Sequence, residues 1–405
     1  MGITNFCVLI DCLQESWKTC QHFDTILYDV QSLLHVGITN ALETEEDRLF
    51  RELCRWAWIK MEKVLNELLS RPCADKITLV LSFDGEGVPM KWPTQRNRRM
   101  RKDTSLPKKA KYRSALFGTN KIALAVQDYF KERIKQYQLS TIQRLKVIIS
   151  GCNVPGEGEH KLFHIAQVYQ CQHPIVVSED QDVFVIALMR MERYKSLQVY
   201  RYEKFYPLHT LINTWAPYSA RQLEICSFLF GNDFIPPLVG ITQTNASQIH
   251  HALSEGDDAE TPPQIIAHFI ERMESSLRFQ TVTCIDPSLV DAFWVTFLWL
   301  RDYYTKHSFP QKYIENTLFD QFDRNALLSA LTLPEYSTTS FQRAQTLYQQ
   351  TVTTPTHVDQ AIQSVFKYDG CLNLLKPYWV TPADKFCTVI ELKKIPSKAS
   401  TSRHP

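Results

Sequence analysis

The segment PIVVSEDQDVFVIAL (residues 174–188) carries the pattern that decides the fold class. Its first residues are entirely apolar, which is typical of a short strand buried on both faces. Three acids follow in one tight polar turn, and the chain then becomes apolar again. Strands buried on both faces occur in parallel sheets that are covered by helices. The segment therefore predicts one strand of an α/β sheet, with carboxylates at its carboxyl end.

Four other β-branched runs alternate with long amphipathic stretches in the first half of the chain. Helices are expected from Glu45 to Arg71 and from about Asn120 to Tyr137. This alternation predicts an α/β fold with a mostly parallel twisted sheet flanked by helices, in which ligands gather at the carboxyl ends of the strands. The four runs are TILYD (25–29), ITLVLSFD (77–84), LKVIIS (145–150) and SLQVYRY (196–202).

The pattern changes after about residue 245. Residues 246–395 are expected to be mainly helical, with loops at HALSEGDDAETPPQ (251–264) and PEYSTTS (334–340). The stretch WVTPADKFCTVIELKKI (379–395) is expected to add a strand, and residues 396–405 form a tail that we expect to be disordered.

Composition limits the functional classes that the chain could belong to. Of 405 residues 44% are hydrophobic and 22% charged, as in a soluble globular protein, and no apolar run is long enough to cross a membrane. The eleven cysteines form no C-x-x-C pair, which disfavours a zinc site or a disulfide framework. We therefore expect an intracellular, cytoplasmic protein, although RRMRK (98–102) leaves a nuclear location open.

Seven acidic residues stand in positions suited to metal binding. Asp29 and Asp84 each end an apolar run, and each taken alone could be an ordinary turn residue or helix cap. Clusters of oxygen ligands select hard cations such as Mg²⁺ or Mn²⁺, and a pair of such ions can promote cleavage of a phosphodiester. The candidates are Asp29, Asp84, Glu157, Glu159, Asp180, Asp182 and Asp233.

A basic cluster stands out on a chain whose net charge is only +2. Residues 91–113 hold ten Lys or Arg residues, with Asp103 as the one acid. If this stretch is helical, Lys91, Gln95, Arg98 and Arg99 project over a limited arc and could bind a terminal phosphate. A solvated basic face or a targeting signal is the alternative.

These segments resemble the N-terminal nuclease core of the XRN 5′→3′ exoribonucleases. The match is carried by YDVQSLLH (28–35), FDGEGVPMKWPTQRNRR (83–99), SGCNVPGEGEHK (150–161), SEDQD (178–182) and GNDFIP (231–236). The resemblance implies that residues 1–245 form an XRN-like nuclease domain with a PIN-like core.

The resemblance also implies an activity. The seven carboxylates would bind two Mg²⁺ or Mn²⁺ ions, and the basic set would bind the 5′-monophosphate of single-stranded RNA. His35 would stack on or steer the first base, and nucleoside monophosphates would leave one at a time. We expect a monomer with no membrane partner. Three tryptophans are candidates for the family's second stacking residue, although core packing is the expected role of any one of them: Trp294, Trp299 and Trp379.

Two other functions fit parts of the same pattern. Flap-endonuclease-type DNA enzymes share an acidic α/β core, but their last Asp is followed by a glycine-rich helix-hairpin-helix, whereas Gly240-Ile241 is followed here by TQTNASQ. A non-catalytic RNA-binding or scaffold protein would typically lack one of the acids, and all seven are present.

Overall fold

The computed structural model describes thirteen parts of the chain. They are residues 5–11, 19–40, 46–85, 116, 121–139, 142–154, 156–214, 220–232, 235–254, 260–277, 287–305, 323–353 and 387–394.

Helices and strands alternate up to about residue 207, and helices dominate beyond it. The helices of the described ranges are α1 (Phe6–Asp11), α2 (Val30–Asn40), α3 (Glu46–Leu69), α4 (Lys121–Lys135), α5 (Gly158–Val168), α6 (Asp182–Arg190), α7 (Leu208–Thr214), α8 (Ala220–Ser227), α9 (Ala246–Ser254), α10 (Pro262–Leu277), α11 (Pro287–Thr305), α12 (Arg324–Leu331) and α13 (Pro334–Thr353). The strands are β1 (Phe23–Asp29), β2 (Cys73–Ser82), β3 (Arg144–Ser150), β4 (Pro174–Val177), β5 (Gln198–Arg201), β6 (Lys204–Pro207) and β7 (Cys387–Lys393).

The predicted fold class is confirmed: the protein is mixed α/β, and its central sheet has seven strands, most of them parallel. The chain divides into two compact units. We call residues 20–86, 107–177 and 383–405 the sheet unit, and residues 1–19, 87–106 and 178–382 the helical unit. The units interleave in sequence, and the domain limits at residues 245 and 395 stay a prediction.

The sheet unit holds five strands in the order β4-β1-β2-β3-β7. β1 pairs in parallel with β2 and β4, and β2 pairs in parallel with β3. β7 lies antiparallel to β3, which confirms the strand expected near the end of the chain. The apolar runs of β1, β3 and β4 are buried almost throughout, as expected for strands covered on both faces.

The register brings the carboxyl ends of four strands to one edge of the sheet. Asp29 of β1 pairs with Ser82 of β2, and Ser82 pairs with Ser150 of β3. On the other side of β1, Tyr28 pairs with Val177 at the end of β4. Side chains at the ends of β1, β2 and β3 are therefore close neighbours, although they are far apart in sequence.

Aromatic contacts hold α3 and α4 in the sheet unit. Trp58 of α3 is buried and meets Phe130 of α4 edge to face at 6.1 Å between ring centroids. Phe130 in turn meets Phe83, the residue before Asp84, at 5.7 Å. Each such pair adds roughly 0.5–1.5 kcal/mol beyond the burial of its surface. The segment that carries Asp84 is thus anchored in the core.

The core of the helical unit is rich in aromatic residues. Trp294 of α11 lies 4.9 Å from Phe341 of α13, and Trp299 stacks on Tyr303 at 5.3 Å. Both tryptophans are buried, so the alternative of core packing holds for them in this structure. Trp379 lies outside the described residues.

Two loop predictions were wrong. PEYSTTS begins helix α13, because Pro334 is well suited to a first helical position and Ser337 and Ser340 are buried. The 251–264 stretch is helical at both described ends, in α9 and α10. The polar composition of each stretch suggested a loop, but tertiary packing stabilises a helix there despite the weak helix propensity of these residues. Among the described helices, none is both long and apolar enough to cross a membrane.

Candidate active site

Asp29 and Asp84 lie at the carboxyl edge of the sheet unit. Asp29 is the last residue of β1 and is 2% exposed, and its Oδ1 accepts a hydrogen bond from the Ser32 backbone N–H at 3.2 Å. Asp84 follows β2 by two residues, since the strand ends at Ser82 and not at Asp84 as the sequence suggested. The two carboxylates therefore come from adjacent strands.

Gly158 is the point on which both carboxylates converge. Its backbone N–H, at the start of α5, donates to Asp84 Oδ1 at 2.6 Å. A Cβ atom at this position would lie 3.1 Å from Asp84 Oδ1 and 3.2 Å from Asp29 Oδ1. A side chain here would have to push these carboxylates away by a few tenths of an ångström, so glycine favours the close approach. The glycine between the two glutamates of the PGEGEHK segment therefore helps to bring three elements together.

Glu157 and Glu159 flank that glycine and are both buried. Glu157, Glu159 and His160 can each offer one ligand atom, and these three atoms lie within 4.8 Å of one another. Helix capping does not account for Glu157, because its side chain makes no capping hydrogen bond to α5. His160, which is also buried, is a member of this group that sequence reasoning did not select.

Lys161 is a second residue that sequence reasoning missed. It is fully buried, and its Nζ donates to the carbonyl oxygens of Phe83, Gly151 (3.0 Å) and Val154 (3.1 Å). These bonds tie the end of β2 to the loop before α5. Lysine is almost never fully buried without a partner, but its sequence neighbours Glu159 and His160 do not reveal that this one is.

The electrostatics of the cluster favour a bound cation. Burial, Asp29 and Glu157 all raise the pKa of the Asp84 carboxyl, and the Gly158 N–H and Lys161 only partly oppose them. Burial also lowers the pKa of Lys161, an effect that Asp84 opposes. Several buried carboxylates around one ammonium leave negative charge that a divalent cation would neutralise.

The donor atoms fit a hard cation. Asp29, Asp84, Glu157 and Glu159 supply only oxygen ligands, which suit Mg²⁺ or Mn²⁺. Ser82 Oγ is fully buried, lies 3.5 Å from the position of a Gly158 Cβ, and has no hydrogen-bond partner among the described residues. A buried hydroxyl without a partner beside carboxylates is consistent with a site that takes a ligand.

The acidic turn, residues 178–182, belongs to the helical unit. Asp182 is buried at the first position of α6, and its backbone N–H donates to Asp180 Oδ1 at 3.1 Å. The Asp180 N–H donates to Ser178 Oγ at 3.0 Å. Part of the turn is therefore explained by its own local hydrogen bonds.

The remaining predicted residues are placed as follows. His35 lies on α2, is half-buried, and has its Nε2 3.5 Å from Gln31 Nε2. Asp233 lies outside the described residues. The predicted phosphate-binding residues also lie outside them; these are Lys91, Gln95, Arg98 and Arg99.

Carboxylates gathered at the carboxyl edge of a parallel sheet fit a nuclease, a hydrolase of phosphodiester bonds, and the family match supports that class. Residues 3–203 match the family model described as XRN 5′-3′ exonuclease N-terminus. Over this region the chain belongs to the XRN family, and the predicted family membership is confirmed.

The chain was also compared with individual proteins. Two solved structures are similar to it, both of the catalytic core of Rad2 in complex with DNA substrate. The first is 12% identical with a TM-score of 0.35, covering 85% of this chain and 93% of that chain. The second is 12% identical with a TM-score of 0.33, covering 91% and 94%. No curated protein sequence matches the chain.

Proposed function

We propose that this nuclease is a metal-dependent 5′→3′ exoribonuclease that degrades 5′-monophosphorylated single-stranded RNA to nucleoside monophosphates. The convergence of Asp29 and Asp84 on Gly158, beside Glu157, is the observation that carries the proposal. Bringing these carboxylates together costs electrostatic energy, which a bound cation would offset.

Each carboxylate has the role of a metal ligand in this proposal. Asp29, Asp84, Glu157 and Glu159 would hold Mg²⁺ or Mn²⁺ at the edge of the sheet unit, and Asp180, Asp182 and Asp233 are assigned to the same function. When bound, a pair of such ions activates water and stabilises the leaving oxygen of the phosphodiester. Lys161 would keep the end of β2, and hence Asp84, in position.

The preference for a 5′-monophosphate is assigned to the basic segment. Lys91, Gln95, Arg98 and Arg99 would bind the terminal phosphate through charge-assisted hydrogen bonds. His35 would stack on or steer the first base. We further propose that the protein acts as a monomer in the cytoplasm.

One experiment tests reaction and specificity together. The purified protein with Mg²⁺ is given matched RNAs with a 5′-monophosphate, 5′-triphosphate or 5′-hydroxyl end, together with single-stranded DNA. We expect stepwise release of mononucleotides from the monophosphorylated RNA, and none without the cation. Equal cleavage of all RNA ends would refute the phosphate pocket, and cleavage in EDTA would refute metal dependence.

A DNA substrate with a 5′ flap tests the other nuclease class. A flap endonuclease would release the flap as an oligonucleotide, whereas the proposed enzyme would yield mononucleotides from RNA. Release of intact flaps at a rate above RNA decay would replace our proposal with the DNA function.

A further inference from the structure

The two-residue turn between β5 and β6 has an unusual sequence for its backbone. Arg201 pairs with Lys204, and the two residues between them, Tyr202 and Glu203, have φ angles of +47° and +62°. Two-residue hairpins of this kind favour Asn-Gly or Asp-Gly, because side chains disfavour the left-handed region. A bulky aromatic side chain kept in such a backbone often marks a functional position.

The Tyr202 side chain is both exposed and held in place. It is 58% exposed, more than any other large hydrophobic residue in the part of the chain that the structure describes. The Arg201 guanidinium carbon lies 4.2 Å from the centre of its ring. Arg201 is itself 8% exposed, so it covers the ring from the protein side. The accessible part of Tyr202 is a flat aromatic surface of fixed orientation.

Arg201 joins this surface to the acidic turn. Its Nε donates to the Glu179 carbonyl oxygen at 3.1 Å, and its Nη1 donates to Cys7 Sγ at 3.0 Å. Burial raises the pKa of the Tyr202 hydroxyl, and so does the Glu179 carboxylate beside it. The Tyr202 ring is therefore linked to Glu179, the residue immediately before Asp180, both through Arg201 and through its own hydroxyl.

We propose that Tyr202 is a stacking platform for a nucleobase of single-stranded RNA bound beside the acidic turn; this inference rests on the proposed function. Aromatic rings next to arginine are a common way to bind unpaired bases, because every base has a flat π-face. The face of an aromatic ring is negative and offers a phosphate no hydrogen-bond donor, so the group that this ring receives is a base and not the backbone. In this proposal the unfavourable φ angles of Tyr202 and Glu203 have a function, because they place the ring at the surface where a base can stack on it.

Three substitutions distinguish the contribution of the Tyr202 ring from that of the turn's backbone. Tyr202→Asn removes the ring and relieves the backbone, because Asn tolerates the left-handed region. Glu203→Gly relieves the backbone and keeps the ring. Tyr202→Phe keeps the stacking surface and removes the hydroxyl that meets Glu179. Thermal unfolding of each variant shows whether the fold is retained.

Binding is measured with a 5′-monophosphorylated RNA that carries a fluorescein label, with Ca²⁺ in place of Mg²⁺ to slow cleavage. A second series carries 2-aminopurine at successive positions, since its fluorescence falls on stacking. We expect Tyr202→Asn to weaken binding about 5- to 150-fold and to abolish quenching at one position, with an unchanged or higher melting temperature. Glu203→Gly and Tyr202→Phe should bind within about 3-fold of the wild type and retain the quenching.

The outcomes distinguish this inference from the proposed function. If the wild type binds and degrades the RNA, and Tyr202→Asn binds it equally well, the platform is refuted and the exonuclease proposal stands. Equal loss of binding in Tyr202→Asn and Glu203→Gly would show that the turn matters and the ring does not. If the wild type binds no RNA, both proposals fail.

Discussion

Two groups of acids in this protein are built in different ways. At the edge of the sheet unit, Asp29, Asp84 and Glu157 come from three separate parts of the chain and converge on Gly158. In the acidic turn of the helical unit, Asp180 and Asp182 are two residues apart and are joined by a local hydrogen bond.

The difference shows which group requires a ligand. In the turn, Ser178 accepts the Asp180 N–H and Asp180 accepts the Asp182 N–H, so these polar residues have a local structural reason to be there. In the sheet unit, burial and then repulsion by Asp29 and Glu157 raise the pKa of Asp84, so the ionised carboxylates destabilise the fold unless a cation is bound. The sheet-unit cluster is therefore the stronger indication of a metal site, and four predictions test the contrast.

The largest effect is expected from Asp84→Asn. This change removes one ligand charge and little volume, so cleavage of RNA should fall on the order of 10³-fold. The metal-free protein should melt at the same or a higher temperature, because a repelled buried charge is lost. Asp75→Asn, at the exposed start of the same strand, is the matched control and should leave the rate unchanged. A normal rate in Asp84→Asn would remove this residue from the site.

Gly158→Ala tests the convergence itself. The added methyl group would press against the Asp29 and Asp84 carboxylates and shift them by a few tenths of an ångström. The rate should fall, but by less than the roughly 10²-fold cost of a misplacement of about 1 Å. Gly240→Ala is the control, because a Cβ there meets no atom within 4 Å. Equal rates in both variants would contradict the geometry.

Cation binding should stabilise the fold in a pH-dependent way. Folding raises the pKa of the Asp84 carboxyl, so the folded state disfavours its ionised form. This group therefore destabilises the metal-free fold at high pH, where it is ionised, and not at low pH, where it is protonated. Mg²⁺ or Mn²⁺ should therefore raise the melting temperature more at pH 8 than at pH 5, because the cation adds up to about 2.7 kcal/mol to the free energy of unfolding at a 100-fold excess over Kd. The shift should be much smaller in Asp84→Asn. Calorimetric scans with and without the cation provide the measurement.

The smallest effect is expected for the stability of Asp182→Asn. Asp182 begins α6, where a negative charge interacts well with the helix dipole. The metal-free variant should lose about 0.3–1 kcal/mol, a change opposite in sign to that expected for Asp84→Asn. Urea unfolding of both variants in EDTA tests this. A gain in stability would mean that Asp182 is repelled by other acids, and the contrast between the two groups would disappear.

Much of the sheet could be predicted from sequence, because strands buried on both faces leave continuous apolar runs. The runs at 25–29, 145–150 and 174–178 became β1, β3 and β4 with ends shifted by at most two residues. The error at PEYSTTS shows the limit of the method. Serine and threonine disfavour helix only weakly, and packing against α11 decides the outcome.

The site was predictable in kind but not in geometry. Isolated aspartates at strand ends are a sequence pattern, and so are the glycines around Glu157. Lys161 was missed because nothing local shows that its ammonium reaches three carbonyl groups from separate segments. Tyr202 was missed because a tyrosine inside SLQVYRY is typical of a strand.

The sequence by itself determined the α/β class, the family, and which acids are candidates, because these depend on local pattern and residue type. Tertiary structure alone decided that Asp29 and Asp84 meet at Gly158, that Lys161 holds the adjoining loop, and that Tyr202 lies on a strained turn over Arg201. The physical reason is strand register, which aligns residues such as Asp29, Ser82 and Ser150 that are far apart along the chain. The order of residues along the chain does not reveal which of them become neighbours across the sheet.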